Sequence, residues 1–304
     1  MGFEGKDFIS TQNLKKDDIL SILDTAEEFF TLNKGAVKKT DLLRGRTVVN
    51  LFFENSTRTR TSFEIAAKRL GADTINFNAA ISSTQKGETL IDTVHNLEAM
   101  HTDIFVMRHE YSGSVKFVAE NSGACVVNAG DGLNEHPSQA MLDLFTIRKA
   151  KGRLEGLNVT IIGDISHSRV ARSNIWAMHT MGMNVKLFAP PTVIPNDVSA
   201  FGCEVCSDIN EAVNGADVVI TLRIQRERQG KLLIPSTREY SALFGVTPAV
   251  MKYAKSDMMI LHPGPVNRGV ELSSYTADSE NSAILDQVES GVAIRMAILS
   301  MVKG

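Results

Sequence analysis

The chain has 304 residues; at roughly 100–200 residues per domain, that length argues for two domains, each able to bury a core, with a cleft between them. Lysine and arginine total 32 against 35 aspartate and glutamate, a formal net charge of -3, and 43% of residues are hydrophobic, a balance that argues against a general nucleic-acid or membrane-surface binder. Three cysteines are too few for a disulfide framework and suit a reducing compartment.

Met1 to Ser10 carries Glu4, Lys6 and Asp7 and no apolar run of signal-peptide length. The longer apolar stretches, such as Val48 to Phe53, are strand-sized and far below the about eighteen residues of a membrane span, so the expected location is the cytoplasm. From Thr47 onward, short β-branched runs alternate with amphipathic helical stretches, the rhythm of parallel sheets with crossover helices. Strands are expected at Thr47–Phe53, Ile104–Met107 and Cys125–Asn128. Helices are expected over Thr57–Leu70, with Phe63, Ala66, Ala67 and Leu70 on one face and Gly71 as its stop, and over Leu90–His101, with Leu90, Val94 and Leu97 as its stripe. Ser138–Arg148 reads as a helix connecting the two halves. The second half offers strands at Val159–Ile162, Val185–Phe188, Val218–Leu222 and Met258–Leu261. Asp286–Val302 is expected to be amphipathic, with Val288, Val292, Ile298 and Met301 near one face. The expected fold class is α/β, two doubly wound parallel-sheet domains joined by interdomain helices.

The densest chemistry lies in Phe52-Phe53-Glu54-Asn55-Ser56-Thr57-Arg58-Thr59-Arg60, a buried strand running into a hydroxyl-rich, doubly basic helix start. Unpaired backbone N–H groups and the positive end of the macrodipole favour an anion there, and the hydroxyls and Arg58 add donors. Ser56 or Thr57 as a plain helix cap is the ordinary alternative. Arg108 is expected at the carboxyl end of a strand, and His136 and Gln139 in a loop leading to the connector helix. Singly these are unremarkable residues; their coincidence at strand ends is the signal. Arg169 and Arg223 also follow strands, and a planar guanidinium matches a carboxylate in two parallel bonds. Gly130-x-Gly132-x-x-Glu135 lacks the third glycine of a dinucleotide fingerprint, which disfavours a nicotinamide dehydrogenase. No P-loop, nucleophile elbow or H-E-x-x-H pair is present, and Cys203-x-x-Cys206 has no second pair, so both cysteines read as structural.

The run Ser56-Thr57-Arg58-Thr59-Arg60 followed by Ser62-Phe63-Glu64 resembles the carbamoyl phosphate motif of the aspartate/ornithine carbamoyltransferase family, the transcarbamylases, and His136-Pro137-Ser138-Gln139 resembles their H-P-[ST]-Q motif. Arg223-x-Gln225-x-Glu227-Arg228 and Leu261-His262-Pro263-Gly264-Pro265 are similar to the aspartate-specific branch, whereas ornithine enzymes carry an H-C-L-P motif at the second place. The resemblance implies transfer of a carbamoyl group from carbamoyl phosphate to L-aspartate in pyrimidine biosynthesis, with no cofactor and no catalytic metal. It implies a carbamoyl phosphate-binding domain over 1–137 with 287–304 and an aspartate-binding domain over 138–286.

By the same resemblance, Ser56, Thr57, Arg58 and Thr59 hold the phosphate with Arg108; Thr59, Arg108 and His136 polarise the carbamoyl oxygen; and Gln139 orients the carbamoyl nitrogen. Arg169, Arg223 and Gln225 take the aspartate carboxylates, and the Pro263 and Gly264 carbonyls face the reacting nitrogens, with a cis bond expected before Pro265. Gly264 stands where some relatives have leucine. In the loop Ser82–Glu88, Ser82 and Lys86 would reach a neighbouring subunit's site, which implies a homotrimer and leaves open a larger assembly with regulatory or dihydroorotase-like chains. Glu54 and Arg228 are implied in domain closure through ion pairs. Another transcarbamylase, such as an ornithine enzyme, and a non-catalytic transcarbamylase-like scaffold subunit are the alternative readings; the retained anion-site residues weigh against the scaffold.

Overall fold

Strands buried on both faces need nearly unbroken apolar runs, and the chain supplies them at the centre of each sheet. The computed structural model describes residues 5–78, 87–225, 233–234 and 236–302. The chain divides into two compact units, Met1–Phe145 with Glu289–Gly304, and Thr146–Val288.

The first unit opens with α1 (Lys16–Lys34), followed by β1 (Thr47–Phe52), α2 (Thr57–Arg69), β2 (Asp73–Asn78), α3 (Leu90–Glu98), β3 (Ile104–His109), α4 (Ser114–Asn121), β4 (Cys125–Asp131) and α5 (Pro137–Lys151), which runs on into the second unit. Its sheet is parallel in the order β2-β1-β3-β4. β1 is buried along almost its whole length, and the polar exception, Asn50, donates from Nδ2 to Asn76 Oδ1 on the paired strand at 2.9 Å. α2 buries Thr59, Phe63, Ala66 and Ala67 on one face, as its three- and four-residue spacing requires.

The second unit continues with β5 (Asn158–Ile162), α6 (Arg169–Thr180), β6 (Asn184–Phe188), β7 (Glu204–Val205), α7 (Ile209–Val213), β8 (Val218–Thr221), α8 (Thr237–Phe244), α9 (Pro248–Met251), β9 (Met259–Leu261), α10 (Ser274–Ala277) and the start of α11 (Ile284–Met301). Its sheet is parallel in the order β7-β6-β5-β8-β9. No helix among the described residues is long and apolar enough to cross a membrane. The three cysteines are free, and burial pushes the Cys203 and Cys206 thiols up to about 11.

Three differences from the expected elements have physical causes. α3 stops at Glu98, not His101, because His101 takes a left-handed backbone (φ 63°) of the kind that ends helices. α11 is not amphipathic along the expected face: Val288 is 55% exposed, while Ala293, Ile294, Met296, Ala297, Ile298 and Leu299 are all buried, so its second half is enclosed nearly all round. α5 runs Pro137–Lys151, one residue earlier and three later than the expected Ser138–Arg148; proline suits the first position because the first N–H has no intrahelical partner. α1 and β2 fall outside the expected elements. Ile19, Ile22, Leu23 and Ala26 do carry helical spacing, whereas the polar edge strand Asp73–Asn78 has little apolar alternation to read.

Gly163, at φ 133°, ends β5 so close to the chain leaving β8 that a Cβ there would lie 2.6 Å from the Leu222 carbonyl oxygen. Gly163→Ala is expected to lower the unfolding free energy by about 2 kcal/mol or more, read as an earlier midpoint in urea denaturation; an unchanged midpoint would mean that the two strand ends need not approach this closely.

Candidate active site

In a doubly wound sheet, ligands bind beyond the carboxyl ends of the strands, where the strand order reverses and neighbouring loops diverge. In the first unit that point lies between β1, which connects onward to β2 on one side, and β3, which connects onward to β4 on the other. Ser56 to Thr59 follow β1, and Arg108 lies near the end of β3, its register partner being Phe52. The sequence-predicted anion-binding residues therefore converge at the switch point of their sheet.

The start of α2 differs from those of six other helices. Thr89, Ser168, Asp208, Ser236, Thr247 and Ser273 each close the first turn of their own helices by accepting a backbone N–H with the side chain. Ser56 occupies the cap position of α2 with extended backbone, yet its side chain makes no such bond, and the first turn holds no acidic residue. A helix start of this kind favours an external anionic acceptor. Thr57 and Arg58 are exposed and Thr59 is buried.

Arg108 is mostly buried, donating from Nε to Glu54 Oε2 at 2.9 Å and from Nη1 to the Ala129 carbonyl at 3.4 Å. Glu54, expected in domain-closing ion pairs, thus holds the arginine of its own unit; Arg228, expected in the same role, lies outside the described residues, as do Ser82 and Lys86. His109, next to Arg108, is packed against Phe53 with ring centroids 4.7 Å apart. Burial pushes its pKa below the ordinary imidazole range, and its Nδ1 accepts from the Tyr111 amide at 3.0 Å.

β4 leads to the buried His136, and two buried carboxylates shape the approach. Asp131 accepts from the Gly113 amide at 2.9 Å and from the Glu135 amide at 3.2 Å. Glu135 accepts from the Thr11 amide at 2.8 Å, from Thr11 Oγ1 at 2.6 Å, and from Ser10 Oγ, so the N-terminal segment braces the residue before His136. Ser138 Oγ stands 3.5 Å from His136 Nδ1, and Gln139 Nε2 donates to Asp143 Oδ1 at 2.9 Å. Asp131, Glu135 and Asp143 escaped the sequence reading; acidic residues beside a predicted anion-binding motif were the available signal.

In the second unit the order reverses between β5 and β8. Arg169 opens α6 just beyond β5 and is buried; Arg223 and Gln225 follow β8, with Arg223 Nη2 donating to Gln225 Oε1 at 3.2 Å. Asp164, fully buried, joins the two loops: Oδ1 meets His167 Nδ1 at 2.7 Å, and Oδ2 accepts from the Gln225 amide at 3.2 Å.

Beyond β9, the bond between Gly264 and Pro265 is cis. The Gly264 amide donates to His262 Nδ1 at 2.7 Å, which puts the ring proton on Nε2, 3.1 Å from Glu271 Oε1. The segment carrying Pro263, Gly264 and Pro265 is thus tied to a buried histidine–carboxylate pair. Arg169, Arg223, Gln225 and this segment all follow adjacent strands β5, β8 and β9.

Family models of the aspartate/ornithine carbamoyltransferases match both parts of the chain, the carbamoyl-P binding domain over residues 6–149 and the Asp/Orn binding domain over 155–302. The chain is 62% identical to the aspartate carbamoyltransferase catalytic subunit of Campylobacter fetus over 304 residues, covering 99% of this chain and 98% of that one. It is 63% identical to the corresponding subunit of Campylobacter hominis over 301 residues, covering 98% and 97%. Trypanosoma cruzi aspartate transcarbamoylase solved with carbamoyl phosphate has a TM-score of 0.88 at 31% identity, covering 99% of this chain and 97% of that one. The same enzyme with carbamoyl aspartate and phosphate has a TM-score of 0.88 at 32% identity, with the same coverage. With both domain models matched in order, and a parallel sheet carrying basic loops at its reversal point in each unit, the chain belongs to the aspartate/ornithine carbamoyltransferase family.

Proposed function

We propose that the protein transfers the carbamoyl group of carbamoyl phosphate to the amine of L-aspartate, giving N-carbamoyl-L-aspartate and phosphate, a step of pyrimidine biosynthesis. The observation that carries this reading is the uncapped start of α2 beside Arg108 at the switch point of the first sheet. The aspartate-specific names of relatives at 62% and 63% identity support aspartate over ornithine.

In this reading the domain formed by 1–137 with 287–304 binds carbamoyl phosphate and the domain 138–286 binds aspartate. Ser56, Thr57, Arg58 and Thr59 receive the phosphate. A phosphate dianion competes with Glu54 for the Arg108 guanidinium, so binding draws Arg108 from one carboxylate to a more highly charged partner. Arg169, Arg223 and Gln225 hold the two carboxylates of aspartate, and the Pro263 and Gly264 carbonyls accept from the reacting nitrogens, with Pro265 fixing the turn.

The neutral amine attacks the carbamoyl carbon, an oxyanion forms, and the phosphate leaves, accepting a proton from the nitrogen. Thr59, Arg108 and His136 donate to the oxyanion, and removing one such donor costs about 10²–10³ in rate. Holding two anions together against their repulsion supplies much of the remaining acceleration, which accounts for the clustering of arginines in a chain of net charge -3. Ser82 and Lys86 complete the site of a neighbouring subunit in a cytoplasmic homotrimer.

The purified protein with carbamoyl phosphate is expected to consume aspartate and to leave ornithine untouched, measured as carbamoylated product; consumption of ornithine would reassign the substrate within the family. Arg58→Ala is expected to weaken binding of inorganic phosphate by about tenfold or more. Arg223→Ala is expected to leave phosphate binding unchanged while raising the KM for aspartate by a similar factor of about ten or more. Calorimetric titration and steady-state kinetics separate the two effects; loss of phosphate binding in the Arg223 variant would contradict the division of labour between the domains.

A further inference from the structure

Gln139 and Asp143 stand one turn apart on α5, both buried, and the 2.9 Å bond from Gln139 Nε2 to Asp143 Oδ1 has a direction with chemical consequences. An ionised carboxylate has no proton to give. Only the nitrogen end of the Gln139 amide can face it, so the oxygen, Oε1, is turned to the other side. The network fixes which end of the amide points where.

A guanidinium buried in the same unit interacts electrostatically with Asp143. Arg295 of α11 donates from Nη1 to Ser62 Oγ at 3.1 Å and to the Gly291 carbonyl at 2.9 Å, and lies over the Phe63 ring at 5.1 Å. Burial pulls its pKa down to about 10, opposed by the charge of Asp143, so it remains protonated at neutral pH. The fold makes room for it: a Cβ on Gly291 would lie 2.4 Å from Arg295 Nη1. Ser62 and Phe63 belong to α2, so Arg295 ties α11 to the helix whose start is proposed to receive phosphate.

We propose that Asp143 is a positioning residue for substrate selection: by holding the Gln139 amide nitrogen it presents Oε1 as a fixed acceptor, which favours an acyl phosphate bearing an N–H donor over one bearing a methyl group. The inference rests on the reading that the carbamoyl group lies against Gln139.

The test compares the affinities of carbamoyl phosphate, its methyl counterpart acetyl phosphate, and inorganic phosphate for the full chain. In the unaltered protein carbamoyl phosphate is expected to bind about tenfold or more tighter than acetyl phosphate; equal affinities there overturn the proposal whatever the variants do. Asp143→Asn, whose side chain can donate or accept, releases the Gln139 amide to settle either way. It is expected to weaken carbamoyl phosphate about tenfold while acetyl phosphate and inorganic phosphate stay within about twofold. Because that variant strands the Arg295 charge, the double variant Asp143→Asn, Arg295→Met is measured beside it, with the same loss of preference expected. Parallel weakening of all three ligands, or an intact preference in a folded variant, overturns the proposal. Gln139→Ala separates the two levels. If it abolishes the preference while the Asp143 variants keep it, only the positioning role fails; if it too keeps the preference, the placement of the carbamoyl group against Gln139 fails.

Discussion

A parallel sheet opens a crevice only where its strand order reverses, and both sheets of this chain carry their basic, hydroxyl-bearing loops at that reversal. Much follows from this one geometric constraint. The central strands β1, β3, β5 and β8 must be buried on both faces, so they spend their side chains on the core and leave chemistry to the loops beyond them. Where two such loops run close together, as at Gly163 and Leu222, no side chain fits. At the start of α2 the same arrangement yields a helix end with no side-chain cap, which favours an anion.

The second recurring device is the buried carboxylate. Asp131 and Glu135 shape the approach to His136, Asp164 joins the loops bearing Arg169 and Gln225, Glu271 holds the turn after His262, and Asp143 faces Gln139. A buried carboxylate left without donors is costly, so each of these groups imposes its geometry on whatever satisfies it. Among the groups proposed to meet substrate, Arg108 is held by Glu54 and Gln139 by Asp143. Arg108 illustrates the balance: it is held by Glu54 and lies within reach of the site that phosphate is proposed to enter.

The α/β class and the strands of both sheets were legible because β-branched runs such as Thr47–Phe52 and Val218–Thr221 are buried on both faces and broken by helical stretches. β2 and β7 were not, since an edge strand rich in asparagine and an exposed two-residue edge strand both lack the apolar signature. α11 misled because a helix enclosed on nearly every side has no single apolar stripe, and periodicity selected Val288, which is exposed. Of the site, the residues proposed to face a ligand could be read from motif and position at strand ends. The residues that hold them in place could not: Glu135 is braced by Ser10 and Thr11, more than a hundred positions away in sequence, and no local pattern encodes such a contact. The Arg295 guanidinium likewise reaches Ser62 from the far end of the chain.

The central claim is that the start of α2 receives a phosphoryl group and that Arg108 leaves Glu54 to join it. A crystal structure of the protein with carbamoyl phosphate tests this most directly. The phosphate is expected within hydrogen-bond distance of the backbone amides of Thr57, Arg58 and Thr59, with the Arg108 guanidinium turned toward it and the 2.9 Å contact with Glu54 broken. Phosphate bound elsewhere, with Arg108 still on Glu54, would contradict it.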